Sequence, residues 1–289
     1  MAFDDQPARF VPTRPGDGAL LSLDVAACQT AGTELAEAYA AARPFPHAVI
    51  DDFLPREVID YCLARFPREL DPDGQEFDRD QERYKRSYQP DHLEDAALRG
   101  LFYVFNSRPF VRLVENVTGI KGLIPDPYFM GGGFHEIGQG GHLSVHADFN
   151  HHKPMNLERR VNVLIYLNDD WEARYGGLLE LWNADMTEKV QSIVPIANRC
   201  VMFSTTNQSY HGNPEPIDHP EGRTRKSIAL YYYTSTWDEA KTSKTTQFRP
   251  RPGSGDKTDV LVKTNEILTE VLPPFLARPA KGLAGRVLK

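Results

Sequence analysis

Residues 128–149 decide the fold. They read Tyr128-Phe-Met-Gly-Gly-Gly-Phe-His-Glu-Ile137, then Gly138-Gln-Gly-Gly141, His142 and Leu143-Ser-Val-His-Ala-Asp-Phe149. On either side of the glycine cluster the residues read as short β-type runs, and the glycines as tight turns or bulges between them. Neither Gly131-Gly-Gly133 nor Gly138-Gln-Gly-Gly141 is followed by Lys-Ser/Thr or opens a helix, which excludes a phosphate loop. Downstream, Val161–Leu167, Gly177–Trp182, Lys189–Val194, Cys200–Ser204 and Ser227–Thr234 are further short β-type runs, separated by Gly, Asn, Asp or Pro. The intervals are too short to carry the helices of a doubly wound sheet, so a sandwich or jelly roll is predicted.

Upstream the periodicity is helical. Ala26–Ala42 reads as an Ala-rich helix ended by Arg-Pro-Phe-Pro, and His47–Phe53 as a short strand. Val58, Ile59, Cys62, Leu63 and Phe66 form a helical stripe. Leu93–Phe105 is a second amphipathic helix, and a third runs from the cap and early proline of Ser107-Arg-Pro to the stop at Gly119. The charged stretch Asp71–Pro90 reads as a loop. The expected architecture is mostly β with flanking helices: a double-stranded β-helix (jelly roll, cupin-like) with N-terminal helices packed on one sheet. It divides into a poorly ordered segment 1–20, a helical support region 21–126, a catalytic core 127–238, and a basic extension 239–289 with a weak helix near Val260–Val271.

Composition is that of a globular chain, 40% hydrophobic and 25% charged over 289 residues, enough for a sizeable core. No apolar run reaches the ~18 residues of a membrane span. The acidic start Met1-Ala-Phe-Asp-Asp-Gln6 has no apolar stretch like a secretory signal. Cys28, Cys62 and Cys200 are scattered without CxxC spacing, which argues against a disulfide frame and predicts a reducing cytoplasm. From Glu239 onward ten Lys and Arg face five Asp and Glu, in a chain of net charge −7. The main body is therefore acidic, and a nucleic-acid partner is not expected.

The chemistry lies in His146-Ala-Asp148, His211 and Arg225-Lys-Ser227. Two histidines and a carboxylate are the ligand set that leaves three positions open on non-haem Fe(II). His146 and Asp148, two apart in a strand, share a face and can meet one ion. His211, following Cys200–Ser204, can complete the set from a neighbouring strand. Arg225 and Ser227 share one face at the head of the apolar run ending Tyr231-Tyr-Tyr233. A guanidinium beside a hydroxyl there suits a buried carboxylate, to which Tyr166 can add a phenol.

Taken together, these residues resemble the Fe(II)/2-oxoglutarate-dependent oxygenases, most closely the prolyl-4-hydroxylase-like branch. Tyr166-Leu-Asn-Asp-Asp-Trp171 with Gly176-Gly177-Leu-Leu-Glu-Leu-Trp182 looks like a segment of the animal oxygen-sensing prolyl hydroxylases, and Arg225 to Tyr233 follows the strand that opens with the oxoglutarate arginine. The resemblance spans about residues 128–235. It implies iron on His146, Asp148 and His211, and 2-oxoglutarate on Arg225, Tyr166 and Ser227. It also implies O2 as co-substrate, ascorbate as reductant, and hydroxylation of an aliphatic carbon in a prolyl peptide or small metabolite, with release of succinate and CO2. Arg159 matches a position near the substrate mouth. His151, in the polar stretch Asn150–Arg160, and Trp182 are further candidates for substrate contact. The chain departs from the family ahead of the metal motif, where Glu136 or Ile137 stands in place of a tyrosine. Two other readings stay open: a non-catalytic jelly-roll module binding a glycan or peptide, and an oxygenase performing desaturation or cyclisation.

Overall fold

Both faces of the longest interior strands are buried, and the layering follows from that. The computed structural model describes residues 10–11, 19–70, 74–238 and 240–257. Helix α1 (Val25–Ala41) leads into strand β1 (His47–Ile50), helix α2 (Arg56–Ala64), and a hairpin of β2 (Gln75–Arg79) and β3 (Glu82–Tyr88). Helices α3 (Ala96–Phe105) and α4 (Arg108–Thr118) follow, then β4 (Ile124–Pro125), β5 (Gly133–Ala147), β6 (His151–His152) and β7 (Leu157–Tyr166). The remaining strands are β8 (Leu179–Trp182), β9 (Lys189–Ile193), β10 (Cys200–Ser204), β11 (His211–Asn213), β12 (Arg225–Thr234) and β13 (Gln247–Phe248). No helix among the described residues is long and apolar enough to cross a membrane.

Helix ends follow local chemistry. Asp24 caps α1 by accepting from the Ala27 amide at 2.7 Å, and Asp95 caps α3 by accepting from those of Ala97 and Leu98. Helix α4 has a proline in its first turn and ends at Gly119, whose φ of 72° is left-handed. Its N-cap Ser107 makes no capping bond, because its hydroxyl donates back to the Val104 carbonyl at 2.6 Å.

The strands pair in the order β1-β10-β7-β12-β5-β11-β8-β9, antiparallel at each step. Strand β5 sits in two ladders. Its first half pairs with β12, from Gly133 opposite Ala229 to Ile137 opposite Arg225, and its second half pairs with β11, with Leu143 opposite Asn213 and His146 opposite His211. Between the halves lies the Gly138–Gly141 cluster, where Gly140 has a φ of 73°. A Cβ on Gly141 would lie 2.6 Å from the Arg83 carbonyl and 2.7 Å from Ile137 Cγ2. The bend turns one continuous ladder into two facing layers, the expected jelly roll.

The alternation along β7 and β12 assigns the faces. Val161, Val163 and Ile165 stand opposite Tyr232, Leu230 and Ile228, and all six join one core cluster with Phe102 and Phe105 of α3 and Leu113, Val114 and Val117 of α4. The helices thus cover the outer face of one layer. Asn162, Leu164 and Tyr166 face inward, where Tyr166 packs with Phe45, Leu179, Leu181 and Phe203.

The structure corrects several sequence expectations. Of the stretch Asp71–Pro90 read as a loop, the described part holds the β2–β3 hairpin, and β3 pairs along β5. Its charges pair across strands, as in Arg86 Nε to Glu76 Oε1 at 2.9 Å. Tyr128–Ile137 and Leu143–Phe149 are one bent strand, because the glycines kink the ladder without breaking it. The stretch Asn150–Arg160 is a β6–β7 hairpin rather than a loop. The expectations for residues 1–20 and for a helix near 260–271 fall, apart from residues 10, 11, 19 and 20, outside the described residues.

The bend yields a graded prediction. Gly141→Ala drives a Cβ into backbone and should destabilise the fold by about 2–3 kcal/mol. At Gly140→Ala nothing lies nearer than 3.7 Å, so only left-handed strain of about 1 kcal/mol is expected. Urea unfolding of the two variants checks the order, and equal losses would contradict the steric account.

Candidate active site

His146 and His211 are direct cross-strand partners, so their rings leave the sheet on the same face and sit 4.6 Å apart between centroids. Asp148, one step beyond β5, reaches the same point. Its Oδ1 is 3.5 Å from His146 Nε2 and its Oδ2 is 3.5 Å from His211 Nε2. One ligand atom from each of the three residues lies within 4.8 Å of the others. The Nδ1 atoms bond to the backbone carbonyls of Ser144 and Ser209 at 2.8 and 2.9 Å, which fixes the protonated tautomer at Nδ1 and turns the Nε2 lone pairs inward. Burial pushes the His211 pKa down to about 4, so the ring is neutral at pH 7. For Asp148 burial pulls upward, but Arg159, with His211 and His146, holds the carboxyl well below its ordinary range. Two imidazoles that turn Nε2 inward and one ionised carboxylate are the donors a divalent transition metal takes, so these residues fit an iron site.

Asp148 is itself held. Asn162 Nδ2 donates to its Oδ2 at 2.7 Å, and Arg159 Nη2 lies 3.1 Å from the same oxygen. Arg159 also donates to Asn162 Oδ1 through Nε at 3.0 Å and Nη2 at 2.8 Å. Its guanidinium lies between the rings of Tyr231, 3.6 Å from the centroid, and Phe149, 4.5 Å away. Arg159 was expected to meet substrate. It lines the cavity, is 3% exposed, and pairs with Asp148.

The other end of the cavity holds a second cation. Arg225 is 5% exposed; its Nε donates to the Gly177 carbonyl at 2.7 Å and its Nη2 to the Tyr166 hydroxyl at 3.3 Å. Gly177 has a φ of 69°, and a Cβ there would lie 3.0 Å from Arg225 Cδ, so glycine makes room for the arginine. Among the described residues no carboxylate pairs with Arg225, and burial lowers its pKa from the ordinary arginine value. The sheet register sets its surroundings. Tyr166, Ser227 and His135 lie side by side across β7, β12 and β5, and the next row places Arg225 beside Ile137 and Lys85. A cavity of about 230 Å³ runs between the triad and Arg225. The hairpin contributes Phe77, Arg79, Glu82 and Lys85 to its wall.

The structure therefore brings together His146, Asp148, His211, Arg159, Arg225, Tyr166 and Ser227. It does not bring in His151, which stacks on Trp237 at 3.9 Å and bonds to Asn156 and Ser243. Nor does it bring in Trp182, which packs with Val145, Ala147, Met186 and Tyr210 and donates to Glu180 at 2.9 Å. At the departure point ahead of the metal motif, Ile137 lines the cavity. Glu136 points away and accepts from Tyr88 and Thr224 at 3.0 and 2.6 Å. Sequence reasoning missed Asn162, His135 and Asn213. For Asn162 and Asn213 the signal was period two, four residues from Tyr166 on β7 and two from His211 on β11; His135 stands eleven residues before His146, across the glycine bend, where that count does not apply.

Two predictions follow from these contacts. Asn162→Ala frees Asp148 Oδ2 on one side and should weaken Fe(II) binding about 10–100-fold, read by competition with a chelator; an unchanged affinity would remove the positioning role. His135 is held neutral by burial and then by Lys85, with its pKa at about 3 against roughly 6.5 in an unfolded chain. As pH falls below ~6.5 the unfolded chain gains a proton that the folded chain refuses, so stability is lost. His135→Phe should reduce the loss between pH 7 and pH 4 by on the order of 3 kcal/mol in denaturant unfolding. Parallel pH curves for the two proteins would refute this.

Comparison with known proteins agrees with the geometry. Residues 132–233, which run from the residue before β5 into β12, match the family described as 2OG-Fe(II) oxygenase superfamily. No curated protein matches the chain. Similar solved structures include a Pseudomonas putida prolyl-4-hydroxylase, 18% identical, TM-score 0.48, covering 70% of this chain and 98% of that one. Another is a Trichoplax adhaerens prolyl hydroxylase in complex with a hypoxia inducible factor oxygen degradation domain peptide fragment, 16% identical, TM-score 0.49, covering 75% and 94%. A third is HygX from Streptomyces hygroscopicus with nickel and 2-oxoglutarate bound, 11% identical, TM-score 0.43, covering 73% and 88%. Over residues 132–233, which hold the metal-site residues and Arg225, the chain is similar to the 2OG-Fe(II) oxygenase superfamily.

Proposed function

We propose that the protein is an Fe(II)- and 2-oxoglutarate-dependent dioxygenase that hydroxylates an aliphatic C–H bond of a prolyl peptide or small metabolite. 2-Oxoglutarate, O2 and substrate become succinate, CO2 and hydroxylated product, and ascorbate serves as an external reductant. The observation that carries this reading is that one cavity has a His146–Asp148–His211 cluster at one end and a buried, carboxylate-free Arg225 at the other. A metal cluster alone fits many proteins, and a buried cation alone is costly. Together they match a ligand with a chelating end and an anionic end.

In this reading His146, Asp148 and His211 hold the iron. When bound, the metal supplies activation of O2 coupled to decarboxylation of the co-substrate. The protein's own residues do the positioning. Arg225 takes the distal carboxylate through the guanidinium nitrogens left free by Gly177 and Tyr166, and Tyr166 and Ser227 add hydroxyls from the same face. Arg159 and Asn162 keep Asp148 ionised and fixed in orientation. The apolar walls Leu164, Leu179 and Ile137 exclude water from the space between. Asp148 also bears on the outcome, because a carboxylate at that ligand position leaves no vacancy for a halide. The family's tyrosine position is taken by Ile137, which offers no hydrogen bond, so substrate is oriented by other groups. Residues 127–238 form the catalytic unit and residues 21–126 its support.

Anaerobic titration of the apo-protein with Fe(II) and 2-oxoglutarate tests the assignment before any substrate is known. A visible metal-to-ligand charge-transfer band is expected, abolished in Asp148→Ala and weakened at least ~100-fold in apparent 2-oxoglutarate affinity in Arg225→Ala, which loses a charge-assisted pair. A folded, iron-loaded protein that gives no band would sink the dioxygenase reading and favour a binding module.

A further inference from the structure

We infer that Asn213 is a further contact of the co-substrate, its side-chain amide donating to a carboxylate oxygen of bound 2-oxoglutarate. The inference rests on the dioxygenase reading above and assigns a residue that the sequence motifs left out.

Among the described residues four buried side-chain polar atoms have no hydrogen-bond partner: His135 Nε2, His142 Nδ1, Thr205 Oγ1 and Asn213 Nδ2. Of these residues, only His135 and Asn213 line the cavity. Asn213 is 3% exposed, and a buried amide donor without an acceptor is costly enough to need an explanation. Its placement supplies one. On β11 it stands two residues from His211, past a register shift against β5, and lines the same cavity, one step of about 7 Å from the triad. Beyond Asn213 the chain turns towards the other end of the cavity: the Gly177 amide donates to the Glu215 carbonyl at 3.3 Å, beside Arg225. Asn213 therefore lies between the metal end and the guanidinium end. It belongs to the layer of β11 and β8, whereas Ser227 and Tyr166 belong to the layer of β12 and β7.

The chemistry of the two orphan atoms then separates them. 2-Oxoglutarate offers acceptors only, four carboxylate oxygens and a keto oxygen, so it satisfies the donor on Asn213. His135 is neutral, and its ring is hydrogen-bonded to the Gly131 backbone, which leaves Nε2 as a bare acceptor. A bare acceptor gains nothing from a dianion. Arg225 and Tyr166 approach the ligand from one layer, and an amide from the opposite layer reaches oxygens that those two leave open.

The test uses the full-length chain, measuring Fe(II) affinity first and then the 2-oxoglutarate concentration that half-saturates the charge-transfer band. Asn213→Leu removes the donor at similar volume, and Asn213→Ala removes it without crowding. Both are expected to raise the half-saturating concentration ~10-fold or more, the size of a hydrogen bond to a charged acceptor. Fe(II) affinity without co-substrate should stay within about twofold. If either folded, iron-loaded variant binds 2-oxoglutarate as the unaltered chain does, the inference is overturned. Weakened iron binding in step with 2-oxoglutarate would likewise overturn it, by making Asn213 a support of His211. If the unaltered chain gives no band, the dioxygenase reading itself fails, a result distinct from either of these.

Discussion

Strand β5 is hydrogen-bonded into both layers, and every feature of the site is referred to it. Its first half carries His135 and Ile137 into the layer of β12 and β7, and its second half carries His146 into the layer of β11 and β8. The transition depends on Gly138–Gly141, where a side chain at position 141 would strike the backbone of both β3 and β5. Because the same strand belongs to each layer, the separation between the His146–His211 pair and the Arg225 row is set by covalent chain and ladder register. Loop conformation has little part in it. A cavity whose two ends are fixed in this way selects ligands by length as well as by charge.

Charge inside the cavity is compensated unevenly. Asp148 is ionised and answered by Arg159, and Asn162 ties the two together. Glu82 of the hairpin is answered by Lys85 at 3.1 Å and by Arg79. Arg225 has a carbonyl, a phenol and the face of the Tyr166 ring, but no anion among the described residues. Desolvating a guanidinium with only neutral partners costs stability, so the fold bears a penalty at the place where an anion would relieve it. The opposite arrangement, with Arg225 paired internally, would give a quieter fold and a cavity with no reason to bind a dianion.

Much of this was legible because period two is robust in strands with one face under helices and the other facing a cavity. Val161, Val163 and Ile165 against Asn162, Leu164 and Tyr166 could be sorted from residue type alone, and the same alternation paired Arg225 with Ser227 and His146 with Asp148. The hairpin was not legible, because β2 and β3 are built from Glu, Arg, Asp and Lys. They are joined by the ladder on β5 and by cross-strand charge pairs, and neither leaves a hydrophobic signature. Arg159 was found near the site, but its pairing with Asp148 was not legible, since sequence spacing does not show which anion a cation holds. Asn213 was passed over because an asparagine before a proline reads as a turn residue, and its free amide becomes visible only once its neighbours are placed.

The two kinds of element point to a division of labour. The triad and the Arg225 row lie on or next to interior strands of the two layers, held by register and by packing under α3 and α4. The hairpin, by contrast, lies at the edge of the sheet, joined to it by the β3–β5 ladder, and lends side chains to the cavity wall. Its Phe77, Arg79 and Lys85 line the cavity, and Lys85 stands beside Ile137 in the row of Arg225. The candidate metal and anion groups are thus carried by interior strands, and part of the cavity wall by an edge hairpin. That is the physical reason why the reaction class can be argued from His146, Asp148, His211 and Arg225: their spacing is set by ladder register and covalent chain rather than by the hairpin.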